Sequence, residues 1–220
     1  MERKVVIPGE MIIEGEDYLP GELTEKRDGQ IYSLRYGLAE EHNNLVKVIP
    51  LSGPYDPRRG NVVIGKVEMV LGNGWLIDFG YADNGFLNIM EVPKYVNKDE
   101  MDSVLTIGDM VLAKIWSISK RGIDLSLKSR GLGKIEEGIV FEVNANKVPR
   151  IIGKEGSMIK LIKQNTGCDI TVGQNGAVLI QGETVEAELF AKRAILFIAE
   201  NSYIQGLTAE VTKWFEENKQ

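Results

Sequence analysis

The part of this sequence best suited to holding a phosphate group is a loop bounded by two glycines, Gly153 and Gly156. Because glycine has no Cβ, a sugar-phosphate chain can closely approach the main-chain N–H groups of such a loop. Apolar residues at helical spacing follow Gly156, which predicts a helix whose free N-terminal N–H groups and positive dipole favour an anion. Five cations around the loop are expected to strengthen this site: Lys147, Arg150, Lys154, Lys160 and Lys163. Glu155, inside the loop, repels phosphate, and the alternative is a loop that only packs against another domain.

A second group of cations lies between Met110 and Arg130, a window that contains a single carboxylate, Asp124. The group consists of Lys114, Lys120, Arg121, Lys128 and Arg130. Lys120 and Arg121 fall at a predicted turn, where they can follow a phosphate backbone without reading base sequence. The window predicts weak, sequence-tolerant contact with a nucleic acid, against the alternative of a solvated cationic face.

Residues for covalent or metal chemistry are scarce. The chain has one cysteine, Cys168, and one histidine, His42, so it can form neither an intrachain disulfide nor a Cys/His zinc site by itself. His42 lies in the polar segment 40–44, which predicts a turn and disfavours a catalytic base. None of the Gly-Lys pairs is followed by Ser or Thr, as a nucleotide-binding phosphate loop requires. The sequence therefore predicts a protein that is not an enzyme, with no metal and no cofactor.

The composition is that of a globular protein, with 43% hydrophobic and 26% charged residues. The apolar runs are too short to cross a membrane, and the start of the chain lacks the apolar core of a signal peptide. We therefore expect a cytoplasmic protein with no membrane partner. The formal net charge of −6 argues against a generally basic surface, so nucleic-acid binding would depend on the two local windows.

The elements that must position these windows fall into three predicted domains, of which the first covers residues 1–58. Short β-rich runs at 5–10, 30–34 and 45–49 are separated by Pro, Gly and Asn, which predicts a small β module. A connection rich in Pro and Gly, around residues 50–60, marks its end. The module is acidic and has no cluster suited to chemistry, so we expect it to serve docking.

Residues 59–130 predict a five-stranded barrel of the OB type. In its last strand, Ile123, Leu125 and Leu127 alternate with polar residues, as in a barrel wall with one buried face. The barrel resembles the S-one type of RNA-binding domain in four segments: 65–67, 74–78, 85–87 and 108–128.

Domains of the S-one type carry aromatic rings and a histidine on the outer face of the barrel, where unstacked bases lie. The corresponding positions here hold Asn73, Leu76 and Asn88, so the resemblance implies little base stacking at those sites. Trp75 could supply a ring if it faced outward, although a tryptophan in a small barrel more often belongs to the core.

Residues 131–220 predict a β-α-α-β-β-α order that begins with a strand at 140–143. The long last helix of that order, from about 184 to 203, is expected to pack four residues on the sheet: Leu189, Ala194, Phe197 and Ile198. The glycine loop, preceded by Ile151-Ile152 and followed by apolar residues at helical spacing, resembles a KH domain of the eukaryotic type. This resemblance implies that the loop clamps RNA.

The order of an acidic β module, an S-one type barrel and one KH domain resembles the RNA-binding cap subunits of the archaeal exosome. The segments that carry this resemblance are 7–10, 50–55, 63–67 and 150–160. It implies a multidomain, mainly β protein with an α+β domain at its C-terminal end. It also implies that three copies sit on a hexameric ring of RNase PH-like subunits, where single-stranded RNA is captured and fed to phosphorolytic sites for 3′-to-5′ degradation. The alternative is an RNA-binding transcription or translation factor with the same modules.

Overall fold

The structure, a computed structural model, describes residues 4–97, 100–204 and 206–218. The chain divides into two compact units. One consists of the described residues of Met1–Gly53 and Asn201–Leu207, and the other of those of Pro54–Glu200 and Thr208–Gln220. The predicted barrel and KH segments therefore share one unit. The domain boundaries at residues 58 and 130 stay predictions.

Seven short strands build the described part of the first unit. They are β1 (Lys4–Val6), β2 (Met11–Glu14), β3 (Leu19–Pro20), β4 (Thr24–Arg27), β5 (Gln30–Ser33), β6 (Gly37–His42) and β7 (Leu45–Pro50). One sheet has the order β1-β6-β7-β3 and the other the order β2-β5-β4. Buried apolar side chains from both sheets form the core, among them Val6, Ile31 and Val46.

The sequence predicted fewer strands in this unit because several of them lack an apolar run. The strand β4 reads Thr-Glu-Lys-Arg, for example, and pairs along its length with β5. The turn expected at 40–44 is shorter than predicted, because β6 continues through His42. Only Asn43 and Asn44 turn the chain, both with positive φ, which is the conformation that a tight hairpin requires.

A closed five-stranded barrel in the second unit confirms the predicted OB-type architecture. Its strands are β8 (Val62–Leu71), β9 (Gly74–Asp78), β10 (Gly85–Asn88), β11 (Met110–Ser119) and β12 (Gly122–Ser126). The order is β12-β10-β9-β8-β11, and pairing of β11 with β12 closes the ring. A further strand, β13 (Gly133–Ile135), pairs with β11, and a short helix, α1 (Met101–Val104), precedes β11.

The rest of the second unit has the predicted KH order, β-α-α-β-β-α, followed by one more helix. The elements are β14 (Ile139–Glu142), α2 (Val148–Ile152), α3 (Ser157–Thr166), β15 (Asp169–Val172), β16 (Ala177–Gln181), α4 (Val185–Glu200) and α5 (Leu207–Asn218). The three strands form an antiparallel sheet in the order β14-β16-β15. Within the described residues, no helix is long and apolar enough to cross a membrane.

The predicted buried face of α4 is wrong in one position. Leu189 is 48% exposed, whereas its neighbour Glu188 is buried. The Glu188 carboxylate accepts a hydrogen bond from the N–H of Gly182 at 3.0 Å, which satisfies the buried acid. Because consecutive helix positions differ by 100° in direction, the buried position of Glu188 turns Leu189 away from the core.

The KH segment packs on the barrel through the loop between β15 and β16. The side-chain amide of Asn175 donates to the carbonyls of Ile64 at 2.8 Å and Phe79 at 2.9 Å, and its Oδ1 accepts from the Ile64 N–H at 3.2 Å. Beside it, Gln174 exchanges two hydrogen bonds with the main chain of Val62, at 2.6 and 2.8 Å. These bonds hold the KH segment on β8 of the barrel, and the sequence analysis did not identify them.

Candidate nucleic-acid interface

The hairpin between β11 and β12 presents two of the predicted cations at its tip. Ser119 pairs with Gly122, so Lys120 and Arg121 form a two-residue turn, and both are exposed. The Arg121 N–H donates to the Ser119 hydroxyl at 3.2 Å, which fixes the turn without using the guanidinium. Among the described residues, neither side chain takes part in an ion pair. The hairpin can therefore offer two uncompensated positive charges to an anion.

The other three cations of this window have different surroundings. Lys114 is half-buried in β11, opposite Ser126, and Arg130 is exposed after the end of β12. Lys128 donates to the Glu91 carboxylate at 3.0 Å. The Ser126 hydroxyl and Lys128 together hold the pKa of Glu91 below its usual range. At neutral pH, Lys128 must leave a charged partner before it can meet a phosphate.

Trp75 belongs to the core of the barrel. Its side chain is fully buried, and its indole N–H donates to the carbonyl of Leu105 at 3.0 Å. Of the positions that usually stack bases, Asn73 is exposed and Leu76 is half-buried, whereas the side chain of Asn88 caps a short turn by accepting from the Met90 N–H at 2.9 Å. Trp75 is therefore not available to a base.

Sequence reasoning missed an aromatic ring on the outer wall of the barrel. Phe86 in β10 lies opposite Leu76 in β9, and it faces outward because its neighbour Leu87 is fully buried. A Cβ on Gly74 would lie 2.8 Å from the Phe86 ring, so the glycine leaves space for that ring. The alternation of β10 could have located this side chain, once Leu87 was placed in the core.

A second aromatic ring that the sequence analysis missed belongs to Trp116 in β11, which is 54% exposed. The guanidinium of Arg59 lies 5.3 Å from the centre of this ring. Neither residue stood out in the sequence, although alternation in β11 turns Trp116 outward once its neighbour Ile115 is placed in the core.

The glycine loop of the KH segment joins α2 to α3 as predicted. Gly153 ends α2 with φ 73° and ψ 174°, a conformation essentially restricted to glycine. Gly156 has φ 77° and ψ 16° and caps the first turn of α3, which has no side-chain cap. Between them, Lys154 and Glu155 are exposed. The loop is open to solvent, and α3 begins directly behind it.

The two glycines of this loop differ in how strictly the fold requires them. A Cβ on Gly153 would lie 2.7 Å from both the Cβ and the main-chain nitrogen of Met158, so the helix packing itself excludes a side chain there. A Cβ on Gly156 would meet only the Ile159 side chain, at the ordinary distance of 3.7 Å. The space over Gly156 is therefore free for a ligand, although its positive φ still disfavours other residues.

The cations around the loop also divide into two kinds. Lys154 and Lys160 are exposed, whereas Lys147 and Arg150 are half-buried at the start of α2 and within it. Lys163 forms an ion pair with Asp169, and this bond lowers the pKa of the Asp169 carboxyl. We expect Lys154 and Lys160 to reach a phosphate most readily, because they make no ion pair within the described part of the chain.

Groups suited to covalent chemistry lie apart from both cationic sites. His42 is exposed at the end of β6, and Cys168 is buried, which raises the pKa of its thiol. In the described residues, no group of three or more His, Cys, Asp or Glu side chains could hold a metal ion. What the described arrangement offers is positive charge on a hairpin, an open loop at a helix start and exposed aromatic surface.

Comparisons with known proteins match the whole chain. The family model described as "KH domain" covers residues 138–197, and that described as "Exosome RNA binding protein RRP4 N-terminal domain" covers residues 3–52. The curated "Exosome complex component Rrp4" of Methanothermobacter thermautotrophicus is 40% identical over 211 residues, which are 96% of this chain and 67% of that protein. The protein of the same name from Nitrosopumilus maritimus is 36% identical over 218 residues, 97% of this chain and 96% of that protein. A crystal structure described as a candidate exosome complex RNA-binding protein matches with a TM-score of 0.67 and 33% identity, over 75% of this chain and 97% of that one.

Proposed function

Because the chain belongs to the exosome complex component Rrp4 family, we propose that it is a non-catalytic RNA-binding subunit of an exosome. It captures single-stranded RNA and passes it, uncut, to subunits that degrade it from 3′ to 5′. The observation that carries this proposal is the pair of uncompensated cations, Lys120 and Arg121, at an exposed hairpin tip. The KH segment packs on the same barrel, so the hairpin and the glycine loop belong to one unit.

Binding in this proposal depends on the phosphate backbone. Lys120, Arg121, Lys154 and Lys160 are exposed and can each neutralise a phosphate, which releases counterions and gives affinity without base specificity. At the loop, the open space over Gly156 allows a phosphate to approach the first N–H groups of α3. Lys114, Lys128, Arg130, Lys147, Arg150 and Lys163 contribute less because they are half-buried, already paired or placed at the edges of the two sites.

We further propose that the first unit docks the chain on a ring of other subunits. Among the described residues of this unit, eight large apolar side chains are exposed: Val5, Ile7, Met11, Leu19, Leu34, Tyr36, Leu45 and Tyr203. So many exposed apolar residues on a small module favour a surface that another protein covers.

The proposed partner is a hexameric ring of RNase PH-like subunits that carries three copies of this chain. Three hairpins around one entry pore would concentrate a positive potential that a single acidic chain lacks. The cytoplasmic location expected from the sequence is part of this proposal.

The proposal is tested by incubating the purified chain with labelled single-stranded RNA, phosphate and magnesium, and by repeating the incubation after the ring is added. We expect the chain alone to bind the RNA and leave its length unchanged, and the ring to shorten it faster when the chain is present. Shortening by the chain alone, or no effect of the chain on the ring, would contradict the proposal. Co-purification with RNA polymerase or ribosomes in place of the ring would favour the transcription or translation factor.

A further inference from the structure

Trp116 is exposed, unlike the other two tryptophans of the chain. It lies in β11 with 54% of its surface open, whereas Trp75 is fully buried and Trp214 stacks on Phe190 and Phe197 at ring distances of 5.5 and 5.6 Å. An indole ring has a large apolar surface, and tryptophans left this open are characteristic of binding surfaces.

Alternation along β11 turns Trp116 outward, because Ala113 and Ile115 face the core, and a β-bulge lies at the same place. Ile115 pairs with Leu125 and the next paired residue, Ser117, pairs with Asp124, so Trp116 has no partner on β12. An extra residue of this kind bends the strand and changes the direction of its side chain, and bulges are common next to functional sites. On the other side of β11, Ile115 exchanges main-chain hydrogen bonds of 2.8 Å with Gly60 and Asn61, which brings the preceding residue, Arg59, beside the ring.

Positive charge lies beside the exposed ring and further along its strand. The Arg59 guanidinium lies 5.3 Å from the ring centre, within the range of a cation–π interaction. Lys120 and Arg121 follow four and five residues later at the hairpin tip, roughly 13 Å further along the strand. Arg59, like the two hairpin cations, forms no ion pair within the described residues. An aromatic face with flanking cations is the combination that proteins use to hold single-stranded nucleic acids.

We infer that Trp116 stacks on an unpaired base of the RNA whose phosphates contact Arg59 and the hairpin. This inference rests on the proposed function and adds a base contact to binding that otherwise depends on phosphates alone. The stacking surface lies on β11, apart from the positions of Asn73, Leu76 and Asn88. A protein partner is the other possible occupant of an exposed tryptophan, but the flanking cations favour a polyanion.

The experiment compares two labelled oligonucleotides of equal length, adenine-containing RNA and an abasic ribose-phosphate strand, by fluorescence anisotropy at one salt concentration. We expect the wild-type chain to bind the RNA about tenfold more tightly than the abasic strand, which is the contribution of one base stacked on an aromatic ring. Trp116→Ala removes this preference and leaves the affinity for the abasic strand unchanged, whereas Trp116→Phe restores part of it. RNA should also quench the emission of the wild-type chain more than that of Trp116→Phe, because Trp75 and Trp214 remain in both.

A double substitution separates this inference from the function on which it rests. Lys120→Ala with Arg121→Ala is expected to weaken both oligonucleotides equally, because it removes phosphate contacts. Loss of binding in that variant, together with an unchanged RNA preference in Trp116→Ala, would overturn the stacking and retain the proposed function. If Trp116→Ala kept its preference for RNA over the abasic strand but no longer assembled on the ring, Trp116 would belong to a protein interface, and the inference would likewise be overturned. If the wild-type chain bound neither oligonucleotide, both the stacking inference and the proposed function would be contradicted.

Discussion

The hairpin of the barrel and the glycine loop of the KH segment, both proposed to bind RNA, differ in the features that they offer to it. At the hairpin, Lys120 and Arg121 offer charge alone, on a turn that is held by its own main chain. At the loop, charge is mixed, because Glu155 lies between the glycines, and shape matters more: Gly156 leaves open space in front of α3. We propose that the hairpin provides electrostatic capture of RNA and that the loop provides close contact with the RNA backbone.

Removing the charge of the hairpin should have the largest effect on RNA affinity. For Lys120→Ala with Arg121→Ala we expect about tenfold weaker binding at physiological salt, and a decrease of roughly 1.4 in the slope of log affinity against log salt, about 0.7 for each phosphate contact on a single strand. The measurement is a salt titration followed by anisotropy. Lys94→Ala with Lys213→Ala is the matched control, since it removes the same charge from other exposed positions. If the control lost as much RNA affinity, the effect would come from the net charge of the protein and not from the hairpin.

The loop should respond to a side chain that fills it. Gly156→Asp places a carboxylate where a phosphate approaches, and we expect about fivefold weaker RNA binding, as for the loss of one close backbone contact. The control is Gly167→Asp at the other end of α3, because Gly167 also has positive φ, at 69°, and free space around a Cβ.

Gly156→Asp should lose more RNA affinity than Gly167→Asp, but Gly167→Asp should lose more thermal stability. A carboxylate favours the N-terminal end of a helix and disfavours its C-terminal end, so thermal melting should show Gly167→Asp to be the less stable protein. If Gly156→Asp lost stability or assembly on the ring while RNA affinity stayed constant, the loop would serve packing and the comparison between the two sites would fail.

Removing the negative charge of the glycine loop should change RNA affinity less than the substitutions above, and in the opposite direction. Glu155→Gln takes away the carboxylate between the glycines, and RNA affinity should rise about twofold because a like charge near the phosphate is lost. Glu155 has φ 53° in the left-handed region, and glutamine keeps the same backbone preference, so the loop conformation is preserved. Anisotropy of the variant beside the wild type tests this, and a decrease in affinity would assign Glu155 to a contact that favours RNA.

The smallest effect is expected from releasing a paired lysine. Asp169→Asn frees Lys163 and should raise RNA affinity by less than about twofold, with a loss of stability below ~1 kcal/mol, as for other exposed ion pairs. Because Lys163 lowers the pKa of Asp169, the ion pair stabilises the native state at neutral pH, and this contribution disappears as pH falls through the lowered pKa. The melting temperatures of variant and wild type should therefore differ at pH 7 and converge in acid. A difference that persisted in acid would assign the stability to packing.

Sequence patterns were sufficient for the parts of this molecule that depend on local regularity. The alternation of Ile123 and Leu125, and the glycines that flank an apolar helix, predicted the barrel and the KH order that the structure confirms. Partners distant in the sequence could not be predicted. Asn175 bonds to Ile64, 111 residues away, and the side-chain amide in a turn sequence gives no sign of its target. Alternation in β11 could have placed Trp116 outward, since Ile115 before it is buried, but its contact with Arg59, distant in the sequence, could not be predicted.

We propose that one strand of RNA contacts both the hairpin and the glycine loop of the same unit. Hydrogen–deuterium exchange of the full chain, with and without single-stranded RNA, tests it in one measurement. We predict slower exchange in peptides that cover 117–122 and 152–158, and no change at 173–176, where the loop is already bonded to the barrel. Unchanged exchange at either of the first two segments under saturating RNA would contradict the account.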